Sequence, residues 1–185
     1  MESFITAAGL RRLDDPPDSF FQPRTLASGL AQIQRFAGCC WWSRYSVARH
    51  TLLMVELIRE FSPTPETILA AMFHDAAEMV TGDVTRPVQR QTGAASELSR
   101  LQTRIWMEIL ERRGVDLTRV DFSQVHAADD RILRVELMVI FGHEDEALPD
   151  PAVCYRREDF LNHTFEADRN QFESKLREAL AAVLG

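Results

Sequence analysis

The chain has few of the residues that would mark a disulfide scaffold, a membrane protein or a nucleic-acid binder. Cysteine occurs three times in 185 residues, at Cys39, Cys40 and Cys154, with no C-x-x-C spacing. An odd count without that spacing argues against a disulfide framework and fits reduced thiols in a cytoplasmic protein. No apolar run reaches the roughly 18 residues that a membrane span needs. The first residues carry charge and lack an apolar core, so no signal peptide is expected. Positive charge is neither dominant nor clustered: the net charge is −7, and no Lys/Arg-rich run exists. That excludes the electrostatic footprint of a nucleic-acid or membrane-surface binder. It does not exclude a small anionic substrate, because a bound cation and a few local arginines can set the field inside one cleft. Strand signals are nearly absent, with no alternating run of Val, Ile and Thr between turns, and there are no internal repeats or low-complexity segments.

What remains is helical, and it predicts one all-α domain over 1–185. Residues 1–23, with Asp14-Asp15-Pro16-Pro17-Asp18, read as an irregular arm. A first helix runs from Thr25 to Phe36, with Gly38 at its C′ position. Ser46 caps a second, Val47 to Phe61, and Thr64-Pro65 opens a third that continues to about Val80. Further helices are expected over 96–113, 123–141 and 166–184, with loops at 39–45, at 81–87 and after Gly142.

Within that frame His74 and Asp75 stand side by side after an apolar helical run, and Glu78 follows one turn on. His50 lies on the apolar face of the second helix, and Asp129 and Asp130 interrupt that of the fifth. A lone histidine on an apolar face is more often a satisfied core residue. Several such groups in one core are costly unless they meet, and a metal ion is their simplest common partner. Imidazoles mixed with carboxylates suit Mn2+, Co2+, Fe2+ or Zn2+ better than Ca2+.

The order His50, His74-Asp75, Ala128-Asp129 resembles the HD-domain metal-dependent phosphohydrolases. Three segments resemble their deoxynucleotide branch, the 5′-deoxynucleotidases and short phage dATP triphosphohydrolases. These are Gln34-Arg35-Phe36-Ala37-Gly38, then Tyr45 to Leu52, then His74 to Glu78 with Thr81-Gly82-Asp83-Val84 and Pro87. The resemblance spans about residues 25–135. It implies a helical bundle with the metal in its core, bound by His50, His74, Asp75 and Asp129; the Ala-Asp pattern selects Asp129 over Asp130. It further implies Glu78 as general acid or base, with Asp83 in the catalytic loop that borders the substrate beside Pro87. Arg35 would contact phosphate, Phe36 would pack on the base, and Gly38 would leave room there. Arg49 departs from the acidic or amide residue usual before the first histidine, and Phe36 from a frequent tryptophan.

The expected activity is hydrolysis of a 2′-deoxyribonucleotide by metal-activated water. The missing Lys/Arg cluster favours a 5′-monophosphate over a triphosphate substrate. The rival readings are a non-catalytic nucleotide-binding HD module and a hydrolase of a signalling nucleotide. Trp41-Trp42 and the apolar stripes of the outer helices suggest a homodimer or larger homo-oligomer. His126, His143 and His163 are expected to face solvent.

Overall fold

The structure, a computed structural model, describes residues 3–6, 9–12, 16–38, 44–143, 155, 157–161 and 163–185. Its body is an all-α bundle built around one buried helix. The helices are α1 Pro23–Gln32, α2 Val47–Ile58, α3 Pro65–Phe73, α4 Glu78–Thr81, α5 Arg86–Thr92, α6 Ala95–Arg112, α7 Phe122–Phe141, α8 Arg157–Phe160 and α9 Phe165–Leu184. Eleven of the twelve residues of α2 are buried, Glu56 being the exception. A helix apolar on every side has to be covered on every side. Accordingly α2 packs against α1, α3, α7 and α9, and α9 closes the back of the bundle across α1 and α3. Its polar members reach specific partners. The Ser46 hydroxyl accepts from Arg49 N–H and donates to the buried Asp168 of α9 at 2.6 Å. Arg49 Nε donates to the same carboxylate at 2.9 Å and its Nη2 meets His163 Nδ1 at 2.9 Å. His163 is half-buried and joins this network, so it is not isolated at the surface.

The local chemistry explains the helix starts. Pro occupies the first turn of α1, α3 and α5, where its missing N–H is not needed. Thr64, Asp121 and Thr164 accept backbone N–H groups of α3, α7 and α9.

Several boundaries differ from the sequence reading. The N-terminal arm contains an antiparallel hairpin, β1 Ser3–Thr6 and β2 Gly9–Arg12, with Ser3 opposite Arg12, so it is not wholly irregular. The first helix ends at Gln32, because Ile33 is extended and Gln34 forms a bridge with Ser46. The third ends at Phe73, not near Val80. The segment read as a loop around Pro87 contains α5. The second helix ends at Ile58, where the chain tightens into a 3-10 turn that leaves Phe61 39% exposed. Trp41-Trp42, on which the expected homo-oligomer partly rested, lie outside the described residues. Among the described residues no helix is long and apolar enough to cross a membrane.

The core makes a plain prediction. Phe172 of α9 is fully buried. Phe172→Ala should cost on the order of 3–5 kcal/mol in urea unfolding, the usual range for a core phenylalanine. A loss under ~1 kcal/mol would show that α9 is not part of the bundle's core.

Candidate metal centre and cleft

The centre is assembled where the backbone of α3 changes pitch. After Phe73 the hydrogen bonds step from i−4 to i−3: His74 N–H to Ala71 O, Ala76 N–H to Phe73 O and Glu78 N–H to Asp75 O. At three residues per turn, positions i and i+3 eclipse. Asp75 and Glu78 thus stand one above the other, and His74 is turned inward beside them.

Across from this turn α2 presents His50, fully buried, and α7 presents Asp129. His50 Nε2 lies 3.2 Å from Asp129 Oδ1 and 3.6 Å from Asp75 Oδ2. His74 Nε2 lies 3.0 Å from Asp75 Oδ2, and the two imidazoles are 5.5 Å apart between centroids. His50, His74 and Asp129 each bring one ligand atom within 4.8 Å of the others. His50, His74 and Asp129 therefore meet, and Asp75 lies against both imidazoles, although the four come from three separate parts of the chain. Asp130, the neighbour of Asp129, points outward to Arg86 at 2.9 Å.

The residues fit a divalent ion on two observations. First, His50 Nε2, His74 Nε2 and Asp75 Oδ2 are buried without a hydrogen-bond partner, 3.0–3.6 Å from neighbouring ligand atoms, and with neutral rings all three are acceptors turned toward one another. Buried polar atoms are rarely left this way. Second, both rings are held by the opposite nitrogen. His74 Nδ1 lies 2.8 Å from the Ala71 carbonyl, which can only accept, so the proton of the neutral ring is on Nδ1. His50 Nδ1 lies 2.6 Å from Glu136 Oε1, a carboxylate that already accepts from Arg35 and Tyr45. Each neutral ring is left with its Nε2 lone pair facing the centre, the arrangement that orients metal-binding histidines elsewhere.

Charge at the centre follows from burial and these contacts. Burial and Arg35 press the His50 pKa down, but Glu136 and Asp129 outweigh them and hold it up to about 9 when no ion is bound. Burial would raise the pKa of Asp75, yet His74 and His50 hold it below the usual carboxylate range. Asp129 is likewise held low against its burial, by His50 and His74. Glu78 goes the other way. Burial, then the nearby charges of Asp75 and Asp83, push its pKa well above the ordinary value, with Arg35 opposing. It is 9% exposed and its Oε2 has no partner.

A cleft of about 760 Å3 opens over this centre, between the α3–α4 turn, α5, α6 and α7. His74, Asp75, Glu78 and Asp129 line it, as do Arg35, Phe36, Asp83 and Pro87 from the expected set. Gly38 does not line it; its φ of 75° serves the turn, a conformation that glycine enters freely. Asp83 has a structural partner, because its Oδ2 accepts the N–H of Ala37 at 3.3 Å. Phe36 and Ala37 adopt left-handed backbone, φ 58° and 52°, which is strained for residues other than glycine. The Phe36 ring is fixed between Tyr45, near-parallel at 6.3 Å, and Phe141, edge-on at 5.1 Å. It reaches the cleft as an expected aromatic surface, but a packed one. His126 is exposed, as expected, and stands at the cleft against Trp106.

Glu136 supports the centre from behind and is not marked by any motif in the sequence. It is fully buried on α7 and receives Arg35 Nε at 3.0 Å, the Tyr45 hydroxyl and His50 Nδ1. Arg35 and His50 hold it ionised against a burial that would favour its protonation. A signal existed, since Glu136 follows Asp129 by seven residues, two helical turns, and so shares its side of α7.

No family model matches the chain. Over 88 residues it is 40% identical to an uncharacterized protein of Rhodobacter capsulatus, a match covering 45% of each chain. The chain thus aligns with less than half the length of that relative, whose name assigns no activity.

For an ion held here, Glu136 sets the orientation of His50. Glu136→Gln should weaken binding of Mn2+ about 10–100-fold, the usual cost of losing such a support, as read by calorimetric titration. Unchanged affinity would reduce Glu136 to a partner of Arg35.

Proposed function

We propose that the protein is a metal-dependent phosphohydrolase of the HD-domain kind, acting on the phosphate esters of 2′-deoxyribonucleotides. The observation that carries this reading is the set of unpartnered buried ligand atoms on His50, His74 and Asp75, next to Asp129, at the floor of a cleft that also exposes a protonatable carboxyl. These residues would hold one divalent transition metal, Mn2+, Co2+, Fe2+ or Zn2+. Such an ion supplies an acidified water and Lewis-acid polarisation of a phosphoryl oxygen.

The chain's own residues account for the rest. Side-chain exposure rises from 0% at His50 through 8% at His74 and 18% at Asp75 to 26% at Asp129. A ligand therefore approaches from the Asp129 side, over a floor closed to bulk water. Glu78, with its raised pKa, stands one turn from Asp75 and is suited to give a proton to the departing sugar oxygen. Water adds its oxygen to phosphorus, the bond from that phosphorus to O5′ breaks, and one proton of the water ends on O5′. Arg35 adds positive charge to one wall, fixed in place by Glu136. Phe36, Leu137 and Phe141 make an apolar stretch of the cleft suited to a sugar and base. The absence of polar side chains in that stretch favours weak discrimination among bases, because a base is rejected strongly only when it leaves a hydrogen bond unmade.

The test separates metal from chemistry. His74→Ala should abolish both the bound metal, measured by elemental analysis, and hydrolysis of a panel of deoxynucleotides. Glu78→Gln should keep the metal and lower turnover by about 10²–10⁴. A fully metallated His74→Ala would refute the site, and an unimpaired Glu78→Gln would remove Glu78 from the chemistry.

A further inference from the structure

Two buried arginines belong to the surroundings of His50, and each is matched by a carboxylate from a different helix. Arg35 meets Glu136 of α7 at 3.0 Å. Arg49, next to His50 in the chain, meets Asp168 of α9: its Nε lies 2.9 Å and its Nη2 2.8 Å from Asp168 Oδ1. Asp168 is buried, and its other oxygen accepts the Ser46 hydroxyl at 2.6 Å. On its far edge Arg49 meets His163 Nδ1 at 2.9 Å, where the ring nitrogen must accept because a guanidinium only donates. Asp168 is thus the one carboxylate that pairs with Arg49 among the described residues. An unpaired buried charge is costly, and here it would stand beside a centre that has to admit a cation. Arg49 is also the residue that departs from the pattern this chain resembles, and the carboxylate that answers it lies 119 residues on.

The same carboxylate holds the backbone that carries His50. Ser46 is the N-cap of α2; its side chain accepts the Arg49 N–H at 3.1 Å and its carbonyl accepts the His50 N–H at 3.1 Å. The first turn of α2 is therefore tied, through Ser46 and Arg49, to the first turn of α9. Glu136 fixes the rotation of the His50 ring through Nδ1, but not the place of the backbone from which the ring hangs. A binding constellation has to be held within about 0.5 Å, so both constraints bear on the centre. Asp168 itself does not line the cleft.

We propose that Asp168 is a positioning residue for the metal centre. It neutralises Arg49 and anchors the first turn of α2 through Ser46, and so sets both the charge beside His50 and the place from which His50 reaches the ion. It acts through those two residues and touches no substrate. This rests on the metal-binding part of the phosphohydrolase reading and names what supports it from the far side of the bundle. The helix α9 then does more than cover α2: its first turn keeps the buried arginine next to a metal ligand from opposing the ion.

The test is Asp168→Asn, which keeps the shape of the side chain but leaves Arg49 without a counter-charge. The readout is calorimetric titration with Mn2+, on protein whose circular dichroism matches wild type. Asp168→Asn should weaken Mn2+ at least about tenfold, the lower end for losing a supporting partner. The double variant Arg49→Gln/Asp168→Asn removes both charges and keeps an amide pair, so its affinity should return close to wild type. Phe172→Leu, in the core of the same helix one turn on, should lower the urea midpoint and leave Mn2+ affinity close to wild type. Wild-type affinity in Asp168→Asn would overturn the proposal. So would an equal loss in Phe172→Leu, which would make Asp168 a stabiliser of α9 only, or a double variant as weak as the single one. Where Asp168→Asn does not fold, Arg49→Lys takes its place. It keeps the charge but loses the two-nitrogen grip on Asp168 Oδ1, so the same loss is expected and unchanged affinity overturns the proposal. If wild type hydrolyses no deoxynucleotide but Asp168→Asn still loses Mn2+, the hydrolase reading falls and the positioning role stands. If wild type hydrolyses deoxynucleotides and Asp168→Asn binds Mn2+ equally well, the positioning role falls and the hydrolase reading stands. A wild type that binds no Mn2+ overturns both.

Discussion

Glu136 is a carboxylate with no access to water, and the arrangement of the cleft depends on how its charge is met. Three groups from three parts of the chain converge on it: Arg35 before the Phe36 turn, Tyr45 at the entry to α2, and His50 within α2. Burying an ion pair costs several kcal/mol per ion before the attraction repays it, so such a knot is a poor means of gaining stability. What it does is position. It fixes the His50 ring so that Nε2 faces the centre, and it holds Arg35 at the cleft wall. It also ties the strained Phe36–Ala37 turn to α2 and α7, while Asp83 secures that turn from the other side.

The opposite half of the centre is positioned by backbone instead. The Ala71 carbonyl holds His74, and the change of pitch after Phe73 aligns Asp75 with Glu78. One consequence is that carboxylates a turn apart are shifted in opposite directions. Asp75, facing two imidazoles, stays ionised, whereas Glu78, buried and facing like charges, favours its protonated form. Two titratable groups pushed in opposite directions by their surroundings are the usual mark of assigned roles in acid–base chemistry.

The legible and illegible parts of the fold divide along physical lines. The helices of the bundle and the inward residues His50, His74, Asp75 and Asp129 were readable because a polar group on an apolar face contradicts its surroundings. In the structure His50, His74 and Asp129 come together, with Asp75 against both imidazoles. Glu136 was hidden because it sits beside the stripe of Val135 and Val139, where a glutamate reads as a solvated flank. The α5 helix was hidden because Pro87 resembles a breaker, although proline is at home in a first helical turn. The left-handed Phe36 and Ala37 could not be read at all: nothing local prefers that conformation, and among the described residues Glu136 through Arg35, Asp83 and the ring contacts of Phe36 hold the turn. His163 looked isolated because its partner, Arg49, is 114 residues away in sequence.

Anomalous diffraction at the absorption edge of the metal found in the purified protein tests whether one divalent ion sits between His50, His74, Asp75 and Asp129. A single strong peak is expected roughly 2.0–2.2 Å from Nε2 of both His50 and His74, the range for imidazole and carboxylate ligation of a transition ion. A peak elsewhere, or a water molecule joining the two Nε2 atoms with no anomalous signal, would contradict it.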